Sequence, residues 1–214
     1  MRTNWLLIVP LAMFGYICEA PAQVADLAGV LPGDRWVYEV TDEVTGDIKA
    51  TTTIVVLDVS EKEITTRWSA RGGAASARPV VFNRNWSRID DSVWKYTPSD
   101  GSGIKLPLRV GQDWRFEGKA THFQNGTAYS INGQSKVVGT EKLTTSAGTF
   151  DTFKIETTIR QINANDQTKG STVTSTLWYA PSINRWVRKT YKLQVEGRLR
   201  ESQTEELSDY SRKP

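Results

Sequence analysis

The sequence predicts an all-β protein, built as a curved antiparallel sheet, a half-barrel or an open barrel of about ten strands. Apolar and polar residues alternate with a period of two through most of the chain after residue 33, which is typical of strands with one buried face. No segment shows a helical period beyond a turn or two around residues 24–30. Because no amphipathic helix is available to cover the apolar face, the sheet must curl or close to bury it.

The alternation is clearest near the C-terminus, where Val187, Leu193 and Leu199 fall on one parity and charged residues fill the other. Residues 36–40 and 153–159 repeat the pattern. Turn-forming residues separate these runs into hairpins. The predicted turns lie at residues 43–46, 72–79, 98–101, 132–133, 146–148 and 163–170.

The N-terminal segment has the order of a secretory signal peptide: a charged start, an apolar stretch and small residues before a cleavage point after Ala22. We expect residues 1–22 to be removed and residues 23–214 to form a single β-rich domain. Cys18 then belongs to the discarded signal, since the residues before it do not fit a lipid-attachment site. The predicted location is therefore periplasmic or secreted.

The composition of residues 23–214 excludes several functions. The chain has one cysteine, Cys18, so the mature domain has no disulfide and no cysteine-based zinc site. A net charge of +3 is too small to indicate a nucleic-acid binder. No later apolar run is long enough to span a membrane, and no cofactor-binding motif is present, so neither a transmembrane segment nor a cofactor is predicted.

Two pairs of segments echo each other, which suggests a pseudo-repeat of residues 33–110 and 111–190. The first pair shares Gly-x-x-Trp-x-aromatic-Glu, at residues 33–39 and 111–117. The second pairs residues 94–99 with residues 178–182. Independent convergence of turn-then-strand segments on Gly, Trp and Pro explains the echoes equally well.

The chain also resembles a group of uncharacterised exported bacterial proteins that form a domain of unknown function. The shared segments are Gly-x-x-Trp-x-Tyr at residues 33–38, Ala-Gly-Thr-Phe at residues 147–150 and Trp-Tyr-Ala-Pro at residues 178–181. The resemblance implies a twisted antiparallel β fold in the cell envelope, with no catalytic residue to transfer. Asn184 stands in a turn where such proteins usually have glycine, and asparagine tolerates the left-handed conformation.

The inventory for catalysis is small. His122 is the one histidine, and no Gly-x-Ser-x-Gly segment accompanies it, so neither a serine triad nor a histidine metal site is predicted. A hydrolase that uses carboxylates alone remains an alternative, because the fold sets the spacing of such pairs. The residues considered for it are Asp90, Asp91, Glu39 and Glu117. We therefore predict no catalytic residue and no metal-binding residue.

Between Ile64 and Ile89 the chain has five arginines, no acidic residue and three large aromatic residues. Arginine next to aromatic rings suits an anionic group. We therefore predict a non-enzymatic domain that binds a hydrophobic or amphiphilic ligand, an anionic envelope ligand or a partner protein on its concave face. The ligand-binding residues proposed for this face are Arg67, Trp68, Arg84, Trp86 and Arg88.

The alternative is a glycan-binding module in which Trp178, Tyr179 and Trp186 form an exposed stacking surface. A solvated surface for the arginines and a covering role for the rings are the simpler interpretations of both sets. The sequence makes no prediction of oligomeric state.

Overall fold

The computed structural model describes residues 29–71 and 77–212. The predicted signal peptide, residues 1–22, and most of the predicted turn at residues 72–79 lie outside them. The described residues form these twelve strands: β1 (Arg35–Asp42), β2 (Ile48–Val59), β3 (Glu63–Arg71), β4 (Arg78–Asn83), β5 (Arg88–Asp90), β6 (Trp94–Thr97), β7 (Asp113–His122), β8 (Ala128–Thr145), β9 (Gly148–Asn163), β10 (Gly170–Ala180), β11 (Arg185–Val195) and β12 (Arg198–Ser211).

Each strand pairs with the next in antiparallel fashion, and β1 also pairs with β12, so the sheet is a closed barrel. The all-β, barrel-like prediction is confirmed, whereas the half-barrel or open form and the count of ten strands are wrong. Alternation along a strand shows which side chains share a face, but not whether the first strand meets the last. Closure removes every free sheet edge.

One predicted turn was wrong because a glycine serves packing instead of reversal. Asn132 and Gly133 lie within β8, where Gly133 is opposite Phe116 of β7. A Cβ atom on Gly133 would lie 2.1 Å from the Phe116 ring. The glycine therefore leaves room for a phenylalanine across the ladder.

The strands missed by the sequence pattern are short and are joined by turns without glycine. Trp86 (φ 62°) and Ser92 (φ 67°) take the left-handed conformation in the β4–β5 and β5–β6 turns. Asn83 supports the first of these turns, because its Oδ1 accepts the backbone N–H groups of Asn85 and Ser87 at 2.9 Å each. Side-chain acceptors replace the usual glycine signal here.

The two Gly-x-x-Trp segments share a local structure. Gly33 (φ 95°) and Gly111 (φ 88°) each donate a backbone hydrogen bond of 2.8 Å to a valine carbonyl, Val56 of β2 and Val137 of β8 respectively. The turn before β1 and the turn before β7 are closed in the same way, by a side-chain oxygen of the residue after the glycine. The segments of the other echo each contain the end of a strand: residues 94–99 contain β6 and the two residues after it, and residues 178–182 contain the end of β10 and the start of a 3-10 turn.

A barrel of eight strands is just wide enough for side chains to fill, so a wider barrel needs additional material inside. Part of it is the connection between β6 and β7, whose Ile104 and Leu108 are buried in the main core. Large rings supply more, including Trp36, Tyr38 and Trp186. A smaller cluster of Phe116, Ala120 and Ile131 lies apart from this core.

The connection from β10 to β11 is a 3-10 turn, Pro181–Ile183, that ends at Asn184 in the left-handed conformation (φ 48°, ψ 41°). This confirms the expectation that Asn184 adopts the left-handed conformation and keeps the turn. The Oδ1 atom of Asn184 also accepts hydrogen bonds from Trp86 Nε1 (3.1 Å) and the Tyr179 hydroxyl (2.6 Å). Burial raises the pKa of Tyr179, so its hydroxyl remains a donor. Asn184 therefore links the β10–β11 turn, in which it lies, to the β4–β5 turn and to β10.

Substitution of Asn184 tests this role. We expect Asn184→Ala to lower the free energy of unfolding by about 3–5 kcal/mol, because two buried donors lose their acceptor and alanine resists the left-handed conformation. Asn184→Gly removes the backbone cost but not the lost acceptor, and should recover about 1 kcal/mol. Denaturant unfolding of both variants measures the difference, and an alanine variant within about 1 kcal/mol of the parent would contradict the assignment.

Candidate functional site

The most unusual group of the interior is Arg185, the first residue of β11. Its side chain is 0% exposed although it carries a guanidinium group. Aromatic rings surround that group, with the Trp186 centroid at 3.6 Å and the Trp86 centroid at 4.1 Å from Cζ. Trp36, Phe82 and Trp68 follow at 5.3–5.9 Å. We call these five rings the aromatic box.

The box stabilises the cation by cation–π attraction, and Tyr38 and Glu205 also favour its charged form. Arg185 Nε and both terminal nitrogens have no hydrogen-bond partner among the described residues. Attraction to aromatic faces is worth about 0.5–2 kcal/mol per ring, and burial strengthens it. An ion pair or hydrogen bond of the kind that usually accompanies a buried arginine is missing in the described part of the chain.

Burial disfavours the charged form of this side chain. It lowers the pKa of Arg185 to about 10, while Tyr38 and Glu205 act in the opposite direction. Burial likewise raises the pKa of Tyr38, whose hydroxyl donates to the Trp186 carbonyl at 2.9 Å. At neutral pH the site therefore holds one protonated arginine and neutral tyrosines.

A half-enclosed cavity of about 360 Å³ lies inside the barrel, next to the box. Phe82, Trp86 and Trp186 belong to both, so these rings separate the guanidinium from the cavity. The remaining wall mixes polar and apolar side chains, and its apolar part comes from β7 to β10 and the β6–β7 connection. These apolar wall residues are Pro98, Ile104, Phe116, Ile131, Ile159, Val173 and Leu177.

Three cations line the cavity wall; Lys119 is exposed to solvent, and the other two already have carboxylate partners. Arg88 pairs with Asp91 at 3.0 Å, and Lys189 pairs with Glu205 at 3.5 Å. Tyr96 and Tyr191 add hydroxyl-bearing rings on the same side. The cavity is thus amphiphilic, with an apolar wall and a polar wall whose charges are largely balanced.

The carboxylates considered for catalysis are otherwise occupied or exposed. Asp91 is buried and accepts hydrogen bonds from the Val93 and Trp94 backbone, from Arg88 and from the Tyr96 hydroxyl. Asp90 accepts the backbone N–H of Ser92 at 2.6 Å. Glu39 and Glu117 are exposed on their strands, and Glu117 also lines the cavity. No pair of free carboxylates in a cleft emerges from these four, which weakens the hydrolase alternative.

The structure brings five of the eight residues proposed from sequence to this region. Trp68, Trp86 and Trp186 contribute to the aromatic box. Trp86, Arg88, Tyr179 and Trp186 line the cavity. The other three lie elsewhere. Arg67 is exposed on the outer face of β3, and Trp178 lies on the outer face of β10. Arg84 lies in the β4–β5 turn and donates a hydrogen bond to the Ser60 carbonyl.

The exposed stacking surface predicted at Trp178, Tyr179 and Trp186 is not formed. Tyr179 is 1% exposed and Trp186 is 9% exposed. Trp178 points to the opposite side from Tyr179, where its indole donates to Glu141 and Lys154 lies 5.1 Å from the ring. Trp186 is buried because a β-bulge opposite Tyr179 shifts the register and changes the alternation on which the expectation depended.

Sequence reasoning missed Arg185 and Lys189. An arginine that opens a strand is normally read as solvated, and nothing in residues 184–187 marks this one as buried. The available signal is indirect: an excess of tryptophan with few acidic neighbours. Only the fold shows that rings from β1, β3, β4, β11 and the β4–β5 turn converge on one guanidinium.

No helix within residues 29–71 and 77–212 is long and apolar enough to cross a membrane. In the same residues, no three metal-binding side chains of the His, Cys, Asp or Glu type come together.

The fold is similar to that of several solved structures at low sequence identity. A suspected lipoprotein from Parabacteroides distasonis matches with a TM-score of 0.54 and 14% identity over 85% of this chain and 96% of that one. A suspected exported protein with a YmcC-like fold from Bacteroides fragilis gives the same TM-score and identity over 85% and 97%. The hypothetical lipoprotein YmcC from Escherichia coli gives 0.50 and 10% over 86% of each chain.

These similarities establish a shared fold and nothing about activity. No protein-family model matches the chain. No curated protein sequence matches it either.

The lowered pKa of Arg185 leads to a prediction about stability. A base whose folded-state pKa lies below its ordinary value destabilises the fold at neutral pH, and relief comes only as the pH rises above about 10. We therefore expect Arg185→Met, which keeps the length without the charge, to raise the free energy of unfolding at neutral pH by about 1–2 kcal/mol.

The matched control is Arg188→Met on the outer side of the same strand, where Arg188 pairs with Glu206 near solvent. It should change stability by less than about 1 kcal/mol. Guanidinium chloride unfolding of the three proteins measures both values. A clear loss of stability in Arg185→Met would show that the cation–π box outweighs desolvation.

Proposed function

We propose that this protein is an exported, non-catalytic β-barrel that binds a single-chain amphiphilic molecule in its interior. The observation that carries the proposal is the cavity of about 360 Å³ with one apolar and one polar wall. Binding sites for small molecules are typically concave, largely apolar and supplied with a few placed polar groups, in the range of about 300–1,000 Å³.

The wall chemistry supports an amphiphile over a purely polar ligand. Ile131, Ile159 and Val173 lie on consecutive strands at interior positions and offer no hydrogen bond to a sugar or peptide. An apolar chain gains about 25 cal/mol for each Å² that it buries against such a wall. The ring-lined end beside Trp86 and Trp186 is where a head group would lie.

The cavity volume limits the ligand to one chain. At about 30 Å³ for each water-sized group, the cavity has room for roughly a dozen methylene groups. A lipid with two long chains would not fit without expansion of the barrel. Fatty acids and related single-chain amphiphiles are the class that the dimensions favour.

Export is supported by two independent observations. Residues 1–22 have the composition of a cleaved signal. Two of the structures with a similar fold are described as lipoproteins and one as an exported protein. Catalysis is not proposed, because the buried carboxylate Asp91 is saturated with donors.

Filling the cavity tests the proposal. We expect the purified domain to bind decanol and decanoate with a negative heat-capacity change, which marks apolar burial. Val173→Trp places a large ring on the interior wall and should weaken binding of both by about tenfold or more. Isothermal titration calorimetry at two temperatures supplies affinity and heat capacity together.

Val138→Trp is the control, because Val138 is 38% exposed and does not line the cavity. It should bind both compounds as the parent does. Equal binding by Val173→Trp and the parent would place the ligand elsewhere. If the parent binds neither compound, the interior is not a site for amphiphiles of this size.

A further inference from the structure

We infer that Arg185, together with the indole N–H groups of Trp36 and Trp186, is the binding site for the anionic head of the ligand, a carboxylate or a phosphate monoester. The inference rests on the proposed function, because it assigns a charge to the molecule in the cavity. It also assigns the specificity of the barrel to a residue that the sequence pattern does not reveal.

The first argument is the nature of the unsatisfied groups. Buried side-chain nitrogens without a partner in the described residues belong to Trp36, Trp114, Trp186 and Arg185, and all of them are N–H donors. Three of these residues meet at one place, since the Arg185 guanidinium lies 5.3 Å from the Trp36 ring and 3.6 Å from the Trp186 ring. Unsatisfied donors of this kind match an anion, which is acceptor only.

The second argument is competition among the cations. Three cations line the cavity: Lys119 is exposed to solvent, and Arg88 and Lys189 each already pair with a carboxylate. A ligand head that bound Arg88 or Lys189 would have to displace Asp91 or Glu205. Arg185 has no such partner in the described chain, so an incoming anion gains an uncontested charge and a planar fork of donors.

The third argument is access. Phe82, Trp86 and Trp186 are at once rings of the box and part of the cavity wall, so one layer of rings separates the head group from the guanidinium. For a head group to reach Arg185, Trp86 must move. It lies in a turn with φ 62°, outside the hydrogen-bonded ladders, and its indole is tied to Asn184. Displacement of Trp86 opens the guanidinium to the cavity.

Head-group discrimination is the test. Decanoate, decyl phosphate and decanol carry the same chain, so their relative affinities report on the head alone. We expect the parent protein at neutral pH to prefer both anions over decanol by about ten- to a hundredfold. In Arg185→Met the preference should fall to within about threefold, while decanol binds as in the parent. Acetate and inorganic phosphate alone distinguish an amphiphile head from a free anion.

Two further variants keep the result decisive. Arg185→Lys retains the charge but lacks the paired donors, so the preference should drop by several-fold, which keeps the test decisive even if Arg185→Met proves unstable. The double variant Lys189→Met with Glu205→Gln removes a cavity cation without changing net charge, and should keep the full preference. Binding of the anions should also change tryptophan emission in the parent, because Trp86 moves.

The outcomes separate this inference from the function on which it rests. Decanol and decanoate binding with equal affinity to the parent would overturn the role of Arg185 and leave the cavity as a neutral site. Loss of preference in the Lys189→Met, Glu205→Gln protein but not in Arg185→Met would also overturn it. Tight binding of acetate or phosphate alone would support the anion site and contradict the single-chain ligand. No binding of any amphiphile would contradict both proposals.

Discussion

The pairing of β1 with β12 is the interaction on which the rest of the structure depends. Without it the sheet would have two free edges and a concave face open to water. With it, the interior becomes a closed space whose size is fixed by the number of strands and their tilt. Everything described inside the barrel, from the tryptophan core to the cavity, is a way of filling that space.

A wall of this circumference leaves more room than aliphatic side chains can fill. The chain fills the end near the start of β1 with rings and with the β6–β7 connection. Between this main core and the smaller cluster around Phe116, a cavity remains. The same large rings that fill the core also form the box that stabilises Arg185 in the absence of an ion pair. Packing and the candidate site are therefore products of one constraint.

The alternation of residues was enough to predict the class of the fold and the apolar faces of most strands. It failed where tertiary contacts override local signals. Gly133 was predicted in a turn and instead leaves room for Phe116 within β8, and no turn was predicted at Trp86, which takes the left-handed conformation between β4 and β5. Trp186 was predicted to be exposed because an alternating pattern does not show where a β-bulge shifts the register. Arg185 was overlooked since burial of a charge depends on rings from distant strands, which one sequence does not align.

The ends of the described chain meet in space. Arg212 pairs with the buried Asp34 at 2.9 Å and also donates to the Gly29 carbonyl, so the segment entering β1 and the segment leaving β12 are fastened together. Along the ring of strands there is consequently no structural beginning. A circular permutant could join these two ends by a short linker and open the β1–β2 turn. It would keep every strand pairing and lose only the covalent connection of one hairpin. In such a barrel, the order in which the strands are synthesised can affect the folding pathway but does not determine which strands are neighbours.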